Sequence, residues 1–151
     1  MIMLRSLPHR WASMLERISK KLVDCRPVIG GGAIRDLLLG AESRVKDLDI
    51  FVLGSNESTI QNLTETFGEP PCRRYVDDSP ETYAGGPVWR WPELRLTYGA
   101  PLVDLVAMAG VTDVVQLLDG FDIDLVQVAH DGVRYTIHDN FVKAAEPAQF
   151  V

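Results

Sequence analysis

Apolar residues recur at helical spacing over residues 8–24. Trp11, Met14, Leu15, Ile18, Leu22 and Val23 form one face, with Arg17, Lys20 and Lys21 on the other. This pattern predicts an amphipathic first helix. Pro27-Val28-Ile29 reads as a short buried strand, ended by Gly30-Gly31-Gly32. Residues 33–39 predict a helix closed by Gly40, and residues 41–46 a polar loop. Asp47–Leu53 alternates and predicts a strand, stopped by Gly54-Ser55-Asn56. A helix over 59–67 follows, capped by Asn56 or Ser58 and broken by residues 68–71. Residues 72–76 predict a strand, and 77–87 a loop rich in acidic, Gly and Pro residues with the composition of a mobile segment. Residues 88–98 alternate loosely around Trp89, Trp91 and Leu94. Leu102–Met108 predicts a strand and 112–118 a short helix capped by Thr112. Residues 121–130 and 133–138 predict two strands paired around Asp131-Gly132, and 140–145 a last helical turn. There is no internal repeat and no low-complexity tract. Strands interleave with helices, yet some are joined by hairpins. That combination predicts an α+β fold, a mixed β-sheet with helices packed on it.

Composition narrows the class. The chain has 151 residues, within the usual span of one domain. It is 46% hydrophobic and 24% charged, which excludes a disordered chain. A net charge of −6 argues against broad, nonspecific nucleic-acid binding, which depends on neutralising phosphates. A local cationic pocket for one nucleotide is still compatible with it. Cys25 and Cys72 are too few and too far apart for a disulfide framework or a zinc site, and read as reduced thiols of an intracellular protein. No run of ~18 apolar residues is present, so no membrane partner is expected. The first residues lack the apolar core of a signal peptide. The expectation is a soluble, cytoplasmic protein.

Three features carry candidate chemistry. The strand–Gly30-Gly31-Gly32–helix turn lets backbone approach a ligand closely, and helix N-terminal N–H groups favour an anion. The spacing is neither a dinucleotide fingerprint nor a P-loop. Arg35 and Asp36 lie one turn further on, and the planar fork of an arginine suits phosphate oxygens. Asp47-Leu48-Asp49 opens a strand, which puts both carboxylates on one face. Like charges side by side repel, a cost that bound cations would offset; a solvent-facing strand end is the plainer reading. Asp104 sits alone in the apolar strand Leu102–Met108 and needs a partner if buried, either a metal shared with Asp47 and Asp49 or an arginine.

Together these residues resemble a known family. Gly31-Gly32-Ala33-Ile34-Arg35-Asp36, followed by Lys46-Asp47-Leu48-Asp49-Ile50, is similar to the head domain of polymerase-beta-type nucleotidyltransferases. Within them the pattern is that of the CCA-adding enzymes and bacterial poly(A) polymerases. The match covers residues 28–52. The resemblance implies a single nucleotidyltransferase-like domain over residues 1–151. It implies that Gly31 and Gly32 hold the triphosphate of an NTP such as ATP, with Arg35 and Asp36 shaping its pocket. It implies that Asp47, Asp49 and Asp104 bind two Mg²⁺ ions and carry catalysis. The reaction implied is in-line attack of an acceptor hydroxyl on the α-phosphate, with Asp104 a candidate to take the hydroxyl proton. The acceptor would be RNA, a protein or a small molecule.

Beyond Asp104 the pattern departs from the family. Leu118, Asp119 and Gly120 stand where its base-selecting stretch has two arginines and an aspartate. The chain is also too short for the family's neck, body and tail, so an RNA grip would have to come from a partner protein. These departures motivate two alternatives: a non-catalytic nucleotide- or partner-binding module, and one half of a toxin–antitoxin pair. Asp122 and Asp124 form a second D-x-D, read as solvent-facing on a strand whose apolar face is Phe121, Ile123 and Leu125. Arg44, Lys46, Arg73, Arg74 and Arg90 are candidates to meet phosphates or the acceptor. Trp89, Trp91, Tyr75 and Tyr83 are candidates to stack on a base, although strand aromatics usually pack in the core. His9, His130 and His138 share no ligand spacing and read as structural or surface residues.

Overall fold

The computed structural model describes residues 2–70 and 87–145, and the backbone of residues 72–74. Its centre is a mixed sheet of seven strands among the described residues. These are β1 (Pro27–Gly30), β2 (Asp47–Leu53), β3 (Cys72–Arg74), β4 (Val88–Leu94), β5 (Leu102–Met108), β6 (Val128–His130) and β7 (Tyr135–Ile137). Their spatial order is β3-β4-β5-β2-β1-β6-β7. Among the described residues only β2 and β5 pair in parallel; every other neighbouring pair is antiparallel. Five helices accompany the sheet among the described residues: α1 (His9–Ser19), α2 (Gly32–Leu38), α3 (Glu57–Phe67), α4 (Val114–Asp119) and α5 (Asp139–Ala145).

The two faces of the sheet are unequal. Leu48, Ile50 and Val52 of β2, with Val103, Leu105 and Ala107 of β5, point into the larger core. There they meet Trp11, Met14, Leu15 and Ile18 of α1, Ile34, Leu37 and Leu38 of α2, Leu63 of α3 and Phe141 of α5. The opposite face carries a smaller core of Val28, Phe51, Leu53, Val88, Val106 and Met108, closed by Val111 and by Leu117 of α4. This second cover stops short of the first residues of β2 and β5. Asp47 is exposed, and Asp49 and Asp104 are partly so.

Local chemistry accounts for the boundaries. Asn56 caps α3 by accepting the Thr59 N–H at 2.9 Å, and the helix ends at Gly68 with φ of 87°. Asp113, not Thr112, caps α4, accepting the Gln116 N–H at 2.8 Å. The first helix ends at Ser19, earlier than its apolar pattern suggests, because Lys21 and Leu22 turn back with i→i+3 bonds to Ile18 and Ser19. Residues 121–127 do not form the expected strand; Asp124–Val126 is a 3-10 turn. The reason lies in β1. It ends at Gly30, and its last pairings use Ala129 and His130, so no ladder remains for residues upstream of Val128. Asp122 and Asp124 are therefore exposed turn residues and not members of a strand.

Candidate functional site

Strand directions bring the three sequence features together. Parallel β2 and β5 start at the same edge of the sheet, which places Asp47, Asp49 and Asp104 there. Antiparallel β1 ends at that edge, delivering Gly30 and Gly31 beside them. In register, Asp49 has Gly30 on one side and Asp104 on the other, each about 4.8 Å away between strand axes. Asp47 and Asp49 share a face because they are two residues apart on a strand.

Burial pushes the Asp49 carboxyl above the usual carboxylate range, and the charges of Asp104 and Asp47 push the same way. The guanidinium of Arg90 on β4 opposes them. Arg90 pairs with Val106, so it shares the face of Asp104, one strand further out. Asp104 is held by backbone. Its Oδ1 accepts the Glu93 N–H at 2.9 Å. That donor is free because β4 bulges between Trp91 and Leu94. Pro92 has no N–H for the ladder, and Glu93 takes a φ of 54°. The contribution of the Glu93 backbone was not visible in the sequence, although a proline inside a strand signals a bulge.

The glycine turn adjoins the carboxylates. Gly31 has φ of 79° and ψ of −141°, and a Cβ there would stand 3.7 Å from Asp49 Oδ2. At Gly30 a Cβ would come within 3.2 Å of the Phe51 ring, which packs at 5.6 Å on Phe121. Arg35 folds back over Gly32 and donates through Nε to Asp36 Oδ1 at 2.9 Å. A shallow polar cleft of about 340 Å³ runs from Gly32, Arg35 and Asp36 past Arg44 and Lys46 to Asp47 and Asp49. It therefore unites all the expected site residues except Gly31 and Asp104, which flank Asp49.

The donor set is one of hard carboxylate oxygens. Among the described residues there is no group of three or more His, Cys, Asp or Glu side chains placed to hold a metal ion. Mg²⁺ does not require one. It is commonly held by one or two carboxylates, with water and substrate phosphate completing its octahedron. Asp49 and Asp104 as register neighbours, with Asp47 two residues from Asp49 on the same face, fit that mode.

Other candidates fall elsewhere. Trp91 is buried in the larger core and donates through Nε1 to the Gly68 carbonyl at 2.7 Å. Trp89 lies beside α3 with Ile60 and Glu65. His138 pairs with Asp119 at 2.9 Å. His130 is buried, accepts the Gly132 N–H on Nδ1 and packs edge-on against Tyr135. Tyr75, Tyr83 and residues 77–86 lie outside the described residues, as do the side chains of Cys72, Arg73 and Arg74. No helix of the described residues is long and apolar enough to cross a membrane.

The chain is similar to a tRNA-processing enzyme in an apo form, with a TM-score of 0.57 and 17% identity over 94% of this chain. The two share a fold. A structure of a tRNA-processing enzyme complex is similar with a TM-score of 0.50 and 18% identity over 85% of this chain. The matches cover 36% and 33% of those chains, about a third of their length. No protein-family model and no curated protein matches the sequence.

Proposed function

We propose that this chain is a nucleotidyltransferase domain that moves a nucleoside monophosphate from an NTP to an acceptor hydroxyl. The observation that carries the reading is the meeting of Asp47, Asp49 and Asp104 at one sheet edge, beside a glycine turn that sets no side chain against the Asp49 carboxylate. Gly32 would offer its backbone N–H to the triphosphate, with Arg35, Arg44 and Lys46 lining the same cleft; the Gly31 N–H is taken by the Val128 carbonyl at 3.0 Å, so Gly31 contributes by carrying no side chain beside Asp49. Asp47, Asp49 and Asp104 would hold Mg²⁺, which when bound supplies charge neutralisation at the phosphates and alignment of the reacting oxygens.

The residues of the chain do the positioning. The acceptor oxygen forms a bond to the α-phosphorus as the bond to the β-phosphate oxygen breaks, and pyrophosphate leaves with that electron pair. The hydroxyl proton passes to a carboxylate, for which Asp104 is the candidate because the Glu93 N–H fixes its orientation. Similarity in fold to tRNA-processing enzymes makes the 3′-hydroxyl of an RNA the first acceptor to test.

A second reading, a non-catalytic nucleotide-binding module, is favoured by one observation. Asp119, where the family has a base-selecting residue, is committed to His138. Incubation with labelled NTPs and RNA, protein or small-molecule acceptors separates the two. The first reading expects label transfer that disappears in Asp47→Asn/Asp49→Asn. Mg·NTP binding without transfer to any acceptor supports the second.

A further inference from the structure

The geometry points to Arg90 as the residue that couples metal binding to nucleotide binding, repelling a lone divalent cation and gripping a phosphate oxygen once the nucleotide arrives. This rests on the proposed Mg·NTP site and deepens it. Arg90 stands on the same face as Asp104, since its register partner Val106 is two residues from Asp104 on β5. Its surroundings on that face are Val88 and Val106 of the smaller core on one side and the open carboxylate edge on the other. The stem is thus partly covered, which restricts where its charged end can go.

Among the described residues Arg90 makes no ion pair, in contrast to Arg35, which is bound to Asp36. A cation so placed has opposite effects on two ligands. It opposes Mg²⁺ alone, because like charges repel. It favours a triphosphate, because a guanidinium donates charge-assisted hydrogen bonds to phosphate oxygens. The same cation therefore keeps the acidic edge from collecting metal without substrate.

The test measures both ligands on the intact chain. Mn²⁺, a paramagnetic stand-in for Mg²⁺, is titrated alone by electron paramagnetic resonance, and a non-hydrolysable ATP analogue with Mg²⁺ by calorimetry. Arg90→Gln is expected to bind Mn²⁺ about fivefold more tightly and the nucleotide about tenfold more weakly. Arg90→Lys, which keeps the charge, is expected to bind Mn²⁺ as the wild type does and to recover part of the nucleotide affinity. A purely structural role predicts loss of both, and either that result or no change in both overturns the inference. If the wild type binds neither probe, the proposed site itself fails together with the role of Arg90.

Discussion

Asp49 stands beside Asp104 in the parallel pairing of β2 and β5, so two carboxylates occupy adjacent positions on one open face. Burial and these neighbours raise the Asp49 carboxyl above its ordinary value of 3.8. The folded state then binds more protons than the unfolded state between the ordinary and the raised value, and stability falls as pH rises through that window. The penalty is fully present above the folded value and absent below 3.8. Asp49→Asn is therefore expected to melt at a higher temperature than the wild type at pH 7 without divalent cations. The gap should close as the pH is lowered toward 4, followed by calorimetric melts across that range.

His130 works in the other direction. Burial holds its imidazole below the ordinary 6.5, only partly offset by the charge of Asp131. Its Nδ1 accepts the Gly132 N–H, a bond the protonated ring cannot make. Below pH 6.5 the unfolded chain binds the extra proton first, so stability rises with pH and is complete above 6.5. Urea unfolding between pH 7.5 and 5 is expected to show this loss on acidification. His130→Asn, which keeps an acceptor for Gly132, should flatten it.

Gly31 tests the turn. Its backbone angles belong to a region that side chains rarely occupy, and a methyl there would also face Asp49. Gly31→Ala is expected to cost of order 1–3 kcal/mol in urea unfolding and to weaken Mg·NTP binding. Gly68→Ala, at a comparable φ of 87° but remote from the cleft, should lose stability without that binding defect.

The bulge can be separated from the side chain it carries. Glu93 contributes its N–H to Asp104 and holds a positive φ. Glu93→Gly relieves that φ while adding backbone freedom, so the net change should stay within about 1 kcal/mol with nucleotide binding intact. Glu93→Pro removes the donor and forbids the φ, and is expected to lose both stability and binding.

Much of this site was legible because its parts are local. The strands Asp47–Leu53 and Leu102–Met108 have the bounds their alternation gives, and the glycine turn between β1 and α2 lies where the glycines stand. The convergence of Asp104 with Asp49 depends on strand order and direction, to which residue spacing alone is blind; the lone carboxylate in an apolar strand raised it as one option, and the family resemblance implied it. What was not legible is long-range. The Glu93 N–H reaches Asp104 only through a bulge. Arg90 joins the face only through the β4–β5 register. Residues 121–127 alternate like a strand, but β1 has no length left to pair with them.

This sheet edge is proposed as a metal-dependent nucleotide site. Calorimetric titration of each Mg·NTP into the wild type and into Asp47→Asn/Asp49→Asn addresses it without knowledge of the acceptor. Saturable heat is expected for at least one nucleotide, abolished by chelation of the metal and absent in the double variant. No heat with any of the nucleotides, or equal binding by the variant, contradicts it.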